Sequence, residues 1–409
     1  MHYVVIGASA AGISGVTTLR QLAPDAKITL ISSDEHIYSR CILHHYLEGI
    51  RDIKALSFVE DQFIEKNKIN WLNGVSVTKL EEATHTLHLS TGDMITYDKL
   101  LIASGAHTFY PPVTNLREAT GIYGLRTLDD AKQIKEEAKQ AKHIVVMGAG
   151  LVGIDALTGL LHYDATLSLV EFKSNLLAMQ LDAEAARTYQ EAFLAHGVHQ
   201  YYNVAAEEVI QDESGRIKQL KLSNGDVLEC DFLIVATGVR ANVAFLEGSA
   251  IEVDRFGLIF NEYGETNLPD VYGAGDVSGH RPIWPAAVKE GLIAASNMCG
   301  IRRELNDFFA SKSTMSFLNI RSLSVGSYEA PDASYTVEIQ KDNVGNYKKI
   351  IHKDGVITGA IIQGDLAYAG VLTQLIRLKL DVSKINKSIF EINYADFFNE
   401  TDDYQFTYE

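Results

Sequence analysis

One local pattern occurs twice in this sequence, and it constrains the fold more than any other feature. The chain opens with His2-Tyr-Val-Val-Ile6, a short β-branched run of the kind that forms a buried parallel strand. It enters Gly7-Ala-Ser-Ala-Ala-Gly12 and then a helix-compatible segment to about Leu22. Gly7 permits a tight turn, Gly12 lets helix and strand approach, and the amides of Ser9, Ala10 and Ala11 at the helix N-terminus point at a pyrophosphate. Ser9 stands where a second glycine usually sits, so backbone approach there is more crowded. The next strand, Lys27-Ile-Thr-Leu-Ile31, ends in Ser32-Ser-Asp-Glu35, which displaces the acid expected to take the ribose hydroxyls. Asp34 and Glu35 are the candidates, with Ser32 as a hydroxyl substitute.

The second copy is complete. Lys142-His-Ile-Val-Val-Met147 leads into Gly148-Ala-Gly150-Leu-Val-Gly153, a helix, and Thr166-Leu-Ser-Leu-Val170 closing on Glu171. Glu171 lies 23 residues beyond Gly148, close to the spacing of about 20 that places a carboxylate on the ribose. Followed by Phe172 and Lys173, it repels a 2′-phosphate more than it holds one, which favours NADH over NADPH. Two dinucleotide sites in one chain imply that one cofactor is kept and the other visits, because a hydride must pass at near-contact distance. FAD and NADH are the natural pair.

Composition supports several domains and excludes some partners. The 409 residues exceed one ordinary core, and 46% hydrophobic with 22% charged residues is too apolar for disorder. Lys and Arg number 36 against 53 Asp and Glu, a net charge of −17 that repels nucleic-acid phosphates and anionic membranes. Cys41, Cys230 and Cys299 are too few and too scattered for a disulfide framework or a thiolate metal cluster, so no metal and a cytoplasmic location are expected. The apolar N-terminus and the stretch Ile144 to Leu161 read as buried strands entering close-packed helices, not as a signal peptide or a membrane span.

Four further segments occur in the order found in flavoprotein reductases: Tyr97-Asp-Lys-Leu-Leu-Ile-Ala-Ser-Gly105, Leu125-Arg-Thr127, Phe232-Leu-Ile-Val-Ala-Thr-Gly-Val-Arg240 and Val271-Tyr-Gly-Ala-Gly-Asp-Val277. Over residues 1 to about 390 the chain resembles the FAD-dependent pyridine nucleotide-disulfide oxidoreductase superfamily. Arg281-Pro-Ile-Trp-Pro-Ala-Ala-Val-Lys289, leading to a helix that ends near Cys299, is most similar to the branch of NADH:rubredoxin reductases, nitrite-reductase flavin domains and NADH oxidases.

The resemblance implies an α/β fold: two Rossmann-like, three-layer dinucleotide-binding domains plus a C-terminal α+β interface domain. The FAD domain is expected at 1–110 and 245–313, the NAD domain at 111–244 and the interface domain at 314–409. Asp276 would accept from the flavin ribityl hydroxyls, and the helix starting near Pro285, with Ala287, would aim its N-terminus at the flavin. Ala103-Ser104-Gly105 and Ala236-Thr237-Gly238 would be the crossings between domains. Arg40 would contact phosphate or adenine, Val77 would line the FAD site, Trp284 would pack beside the flavin, and Asp155 would replace a glutamate near the nicotinamide with a shorter reach.

Cys41 divides two mechanisms. It lies in Tyr38-Ser-Arg-Cys-Ile-Leu-His-His-Tyr-Leu-Glu-Gly49, where the resemblance places the single redox cysteine of NADH oxidases and coenzyme A-disulfide reductases. Arg40 would depress its thiol pKa, keeping a reactive Cys41 open. Ala10 instead of a histidine in the first turn, and bulky Ile42, point instead to a structural cysteine. Adjacent His44 and His45 point apart on a helix and make no metal pair. Cys230 and Cys299 read as core fillers.

The last hundred residues alternate in strand fashion around 324–363, followed by a helix-compatible run from Ala367 to Leu380. The resemblance implies that this domain forms a homodimer interface and covers the flavin's far side. The acidic, aromatic end through Asp402-Asp403 to Glu409 is either a disordered tail or a docking segment. The expected function is hydride transfer from NADH to FAD, then electron transfer to a rubredoxin, a ferredoxin or a partner iron–sulfur subunit. The alternatives are a cysteine-assisted NADH oxidase or coenzyme A-disulfide reductase using Cys41, and a non-catalytic redox sensor.

Overall fold

The structure is a computed structural model describing residues 1–280, 282–306, 312–403 and 406–408. Arg281 of the reductase-like motif, and Tyr404, Gln405 and Glu409 of the tail, lie outside the described residues. Among the described residues, eight α-helices run in the order α1 (Ala10–Leu22), α2 (Leu43–Glu48), α3 (Phe63–Lys66), α4 (Leu128–Ala138), α5 (Leu151–Leu160), α6 (Ala183–Ala195), α7 (Trp284–Met298) and α8 (Ala369–Leu378).

Three five-stranded sheets organise the chain. The first is parallel, in the order 271–273, 99–102, 2–6, 27–32, 69–73, so its outer strand comes from far along the sequence. The second, also parallel, runs 199–202, 166–171, 143–147, 232–235, 122–123. In both, the strand entering the glycine turn is central, with the next strand on one side and a late strand on the other. That reversal of strand order opens a crevice at the carboxyl end of the central strand, where dinucleotides bind in doubly wound sheets.

Strand alternation builds the layers. Tyr3 and Val5 face α1 and α7, while Val4 and Ile6 face a small antiparallel sheet of residues 77–81, 86–89 and 94–96. Ile144 and Val146 likewise face the α4–α6 layer, and Val145 and Met147 face the sheet of 206–211, 217–222 and 227–229. Both dinucleotide domains are therefore three-layered. The 144–161 stretch divides between the strand His143–Met147 and α5, and no helix among the described residues is long and apolar enough to cross a membrane.

The third sheet is antiparallel, in the order 313–317, 320–326, 356–363, 347–353, 336–341, with α8 on one face through Leu372 and Leu375. Its other face packs on α5 and α6 of the second domain. Met315, Phe317, Tyr347 and Ile361 join Tyr189 and Phe193 in one core. Within it, Asp182 caps α6 by accepting from the Ala185 amide at 3.0 Å, and its other oxygen accepts from Tyr347 Oη at 2.7 Å and Lys349 Nζ at 2.9 Å. Gln363 Nε2 donates to the Ala185 carbonyl at 3.0 Å. The third sheet thus sits on α5 and α6, held by buried polar groups that an apolar pattern does not reveal. Residues 398–400 and 406–408 of the tail pair as a short antiparallel ladder.

Candidate active site

Each glycine turn is built by the same steric necessity. Gly7 has φ +108°, and a Cβ at Gly12 would lie 1.7 Å from the Gly7 carbonyl oxygen. Gly148 has φ +105°, and a Cβ at Gly153 would lie 1.8 Å from the Gly148 carbonyl oxygen. Only hydrogen fits at the second position of each pair, which lets α1 and α5 start against their own strands. A Cβ at Gly150 would meet nothing within 4 Å, so the outer face of the second turn is open to an approaching phosphate.

The first turn forms the floor of a cavity of about 520 Å³. Gly7, Ser9, Ala10, Ala11, Asp34, Arg40, Cys41, Val77, Ser104, Gly105, Asp276 and Ala287 all line it, as does Trp284. Gly12 lies behind the turn, and Glu35 is not part of the wall. Ser32 reaches the wall with its hydroxyl already engaged, donating to the Asp34 carbonyl at 2.8 Å and accepting from Trp71 Nε1 at 3.0 Å. Among the described residues, every one that lines the cavity falls between Ile6 and Ala287, and none belongs to the C-terminal sheet.

Two Arg–Asp pairs stand on the wall. Arg40 Nη2 donates to Asp34 Oδ2 at 2.5 Å, and Arg126 donates to Asp276 Oδ2. They are joined by Arg40 Nη1, which donates to the Arg126 carbonyl at 2.6 Å. Tyr38 Oη donates to Asp34 Oδ1 at 2.7 Å and accepts the first amide of α4, from Leu128, at 3.0 Å, so burial and the adjacent carboxylate push its phenol pKa up. In the motif Leu125-Arg-Thr127 nothing marks Arg126 for a role; its partner lies 150 residues away, a separation no local pattern bridges. Glu290 likewise carries no signal in the local sequence. It is buried on α7 and accepts from the Gly275 amide at 2.7 Å, tying that helix to the Gly-Asp loop.

Cys41 opens onto the cavity, yet surrounding protein atoms desolvate it, and burial first, then Asp155, push its thiol pKa up. Arg126 opposes this without reversing it. The expected lowering by Arg40 does not occur, because the Arg40 guanidinium turns to Asp34, Tyr38 and the Arg126 carbonyl. A thiol held protonated is a poor nucleophile. Cys230 is buried among apolar side chains, as a core filler should be.

The second turn lies outside the cavity, and so do Gly148, Gly150, Gly153, Asp155, Glu171 and Gly238. Glu171 Oε2 accepts from the Ala149 amide at 2.6 Å and Oε1 from the Lys173 amide at 2.7 Å, which fixes a carboxylate beside the turn. Past Gly105 and Gly238 the two crossing segments pair as antiparallel strands 106–108 and 239–241, and Asn242 Nδ2 donates to the Ser104 carbonyl at 2.9 Å. Asp155 sits on α5, 3.4 Å from His44 Nδ1 on α2. Burial raises Asp155 to about 8 and lowers His44 to about 4. No group of three potential metal ligands occurs among the described residues.

A walled cavity on one glycine turn and an open, carboxylate-flanked turn beside it are the features of a two-dinucleotide reductase. The chain matches the model for pyridine nucleotide-disulphide oxidoreductases over residues 1–291, and that for the rubredoxin NAD+ reductase C-terminal domain over 313–380. It belongs to the pyridine nucleotide-disulphide oxidoreductase family, as an FAD-dependent NAD(P)H oxidoreductase with FAD and NAD(H) as cofactors. It is 27% identical to the Bacillus subtilis NAD(P)H nitrite reductase over 94% of this chain, spanning about half (48%) of that protein. It is 28% identical to the epsilon subunit of the NADH-dependent phenylglyoxylate dehydrogenase of Aromatoleum evansii, covering 94% of this chain and 93% of that one. Among solved structures, the NADH:rubredoxin oxidoreductase of Clostridium acetobutylicum shares the fold at TM-score 0.76 and 23% identity, over 95% of this chain and 98% of that one.

Proposed function

We propose that the chain takes electrons from NADH at the second turn, holds FAD at the first, and delivers them to a one-electron carrier: a rubredoxin, a ferredoxin or a partner iron–sulfur subunit. When bound, FAD supplies the chemistry that accepts a hydride and releases its electrons singly. The observation that carries the reading is that the first turn, the Asp34–Arg40 pair, Asp276 and the start of α7 line one cavity. There the amides of Ser9 to Ala11 would face the pyrophosphate, Asp276 would accept from the ribityl chain while Arg126 orients it, and Ala287 would let α7 approach the ring. Val77, Ser104 and Gly105 would close the remaining wall. At the second turn Gly148 to Gly153 would cradle the NADH pyrophosphate, Glu171 would take the ribose hydroxyls, and Gly238 would border the site. The domain division at 1–110 with 245–313, 111–244 and 314–409 belongs to this proposal.

The protonated Cys41 thiol supports a direct electron exit over a cysteine relay. So do the C-terminal match to a rubredoxin reductase domain and the similarity to a dehydrogenase subunit. A net charge of −17 requires that an acidic carrier meet a local basic patch or be held as a subunit. A homodimer in the cytoplasm completes the reading. Steady-state NADH oxidation compared with rubredoxin, ferredoxin, oxygen and coenzyme A disulfide is the test. Fastest turnover with an iron–sulfur or rubredoxin carrier is expected; coenzyme A disulfide as the best acceptor, with turnover abolished by Cys41→Ser, would sink the reading in favour of the cysteine mechanism.

A further inference from the structure

One segment of the chain belongs to two cores. Residues 37–58 lie between the strands Lys27–Ser32 and Ile69–Asn73 of the first sheet, and at the segment's ends Ile37 and Phe58 pack on the core that Tyr3 and Val5 share with α1. Between those ends, Tyr38, Leu43, Leu47 and Leu56 are buried in the core of the second sheet, with Leu128 of α4 and Leu157 of α5. The excursion is closed at its base, where the Ser39 amide donates to the Leu56 carbonyl at 3.0 Å. It is a strap from one unit into the other. Hydrogen bonds fasten its middle: Tyr163 Oη donates to the Leu47 carbonyl at 3.0 Å, and Lys135 Nζ to the Tyr46 carbonyl at 2.6 Å. α5 approaches so closely that a Cβ at Gly159 would lie 2.9 Å from the His44 carbonyl oxygen.

The strap also carries part of the cavity wall. Arg40 and Cys41 line the cavity, whereas Tyr38 is 3% exposed and stands behind it. The Tyr38 hydroxyl donates to Asp34 Oδ1 at 2.7 Å and accepts from the Leu128 amide at 3.0 Å. One oxygen thus joins a wall carboxylate of the first unit to the first amide of a helix of the second. Other links between the units fix their angle less. The apolar contacts of Leu43 and Leu47 are non-directional. The two crossings pass through Gly105 at φ +69° and Gly238 at φ +114°, where a Cβ would meet nothing within 4 Å, and then pair over three residues each. Arg40 Nη1 adds a contact to the Arg126 carbonyl, but from the wall itself.

We propose that the Tyr38 hydroxyl is a positioning group for hydride transfer: it fixes the unit that binds NADH against the unit that holds FAD, so that the nicotinamide meets the flavin at reacting distance. This rests on the reading above, in which the second turn binds NADH and the cavity holds FAD, and it adds a residue that touches neither cofactor. NADH gives up a hydride, one hydrogen nucleus with two electrons, to FAD and leaves as NAD+. That transfer needs near contact, and a misplacement of about 1 Å caused by a remote change can cost about a hundredfold in rate. Burial, with the Asp34 carboxylate beside it, keeps the Tyr38 phenol protonated, so the donated hydrogen bond is permanent.

The test is anaerobic stopped-flow reduction of FAD-loaded Tyr38→Phe, which removes one oxygen and keeps the ring in its core. The limiting rate of flavin bleaching at saturating NADH should fall about tenfold. The NADH Kd from the same saturation curve, and the rate of bleaching by dithionite, which needs no nicotinamide site, should each stay within about twofold of the parent. FAD is retained because Arg40 still holds Asp34. An unchanged limiting rate overturns the proposal, as does a fall matched by an equal fall with dithionite, which places the damage in the flavin site. A second measurement needs no variant. The first amide of a helix has no intrahelical partner, so protection of the Leu128 amide from hydrogen exchange in the FAD-loaded parent reports the Tyr38 contact; exchange as fast as that of an open amide overturns the proposal. A parent that takes up FAD but is not bleached by NADH overturns the cofactor reading, and the proposal with it.

Discussion

The two glycine turns share their geometry and differ in their surroundings. Gly7 and Gly148 adopt φ of +108° and +105°, and the glycines five residues on sit against the carbonyl of the first by nearly the same margin. Beyond the turn the sites diverge. α1 is covered by α7 so closely that a Cβ at Gly291 would lie 2.2 Å from the Ala11 carbonyl, and the first turn faces a walled cavity. α5 instead packs against α2, the second turn keeps an open outer face at Gly150, and Glu171 is fixed beside it. On the proposed reading, the same turn would serve a resident or a visiting cofactor according to what covers the helix that follows it.

Paired substitutions test that contrast most severely. Gly12→Ala forces the backbone against Gly7 and should cost about 3 kcal/mol and eliminate bound FAD, read by urea unfolding and flavin absorbance. Gly153→Ala should leave the protein yellow but no longer bleached by NADH. The reverse outcomes would exchange the two assignments. Glu171→Gln keeps the shape and loses the charge, so NADH should bind about tenfold more weakly and the preference over NADPH should shrink, measured by nucleotide Kd.

Asp155 sharpens the contrast through pH. Its carboxyl moves from an ordinary 3.8 up to about 8 on folding, so between those values the folded chain holds a proton that the unfolded chain does not. Stability from this group is therefore complete at acid pH and is lost as pH rises through about 8. In Asp155→Asn the melting temperature should fall less steeply across that window. The smallest effect is expected at Cys41. With a protein acceptor, Cys41→Ser should change turnover by no more than about twofold, because a thiol held protonated contributes little.

Much of this was legible in the sequence, because the pattern of strand, glycine turn and helix is local. Both turns and the C-terminal antiparallel sheet follow from spacing and alternation, whereas the late outer strand of the first sheet is implied by the family resemblance. What stayed hidden depends on partners far along the chain. Nothing in the sequence pairs Asp276 with Arg126, and Arg40 reads as a neighbour of Cys41 although its guanidinium points to Asp34. Lys349 and Gln363 look like outward polar positions on alternating strands. They are buried because Asp182 and the Ala185 carbonyl receive them, and this is also why the third sheet lies on α6 and not over the cavity. The His44–Asp155 contact joins two helices that each look complete alone.

Anaerobic stopped-flow mixing of the FAD-loaded protein with NADH and with NADPH tests the division of labour between the turns most directly. Rapid, complete bleaching by NADH, much slower bleaching by NADPH, and none by NADH in Gly153→Ala are predicted. A protein that does not take up FAD, or a Gly153→Ala variant bleached as fast as the parent, would contradict it.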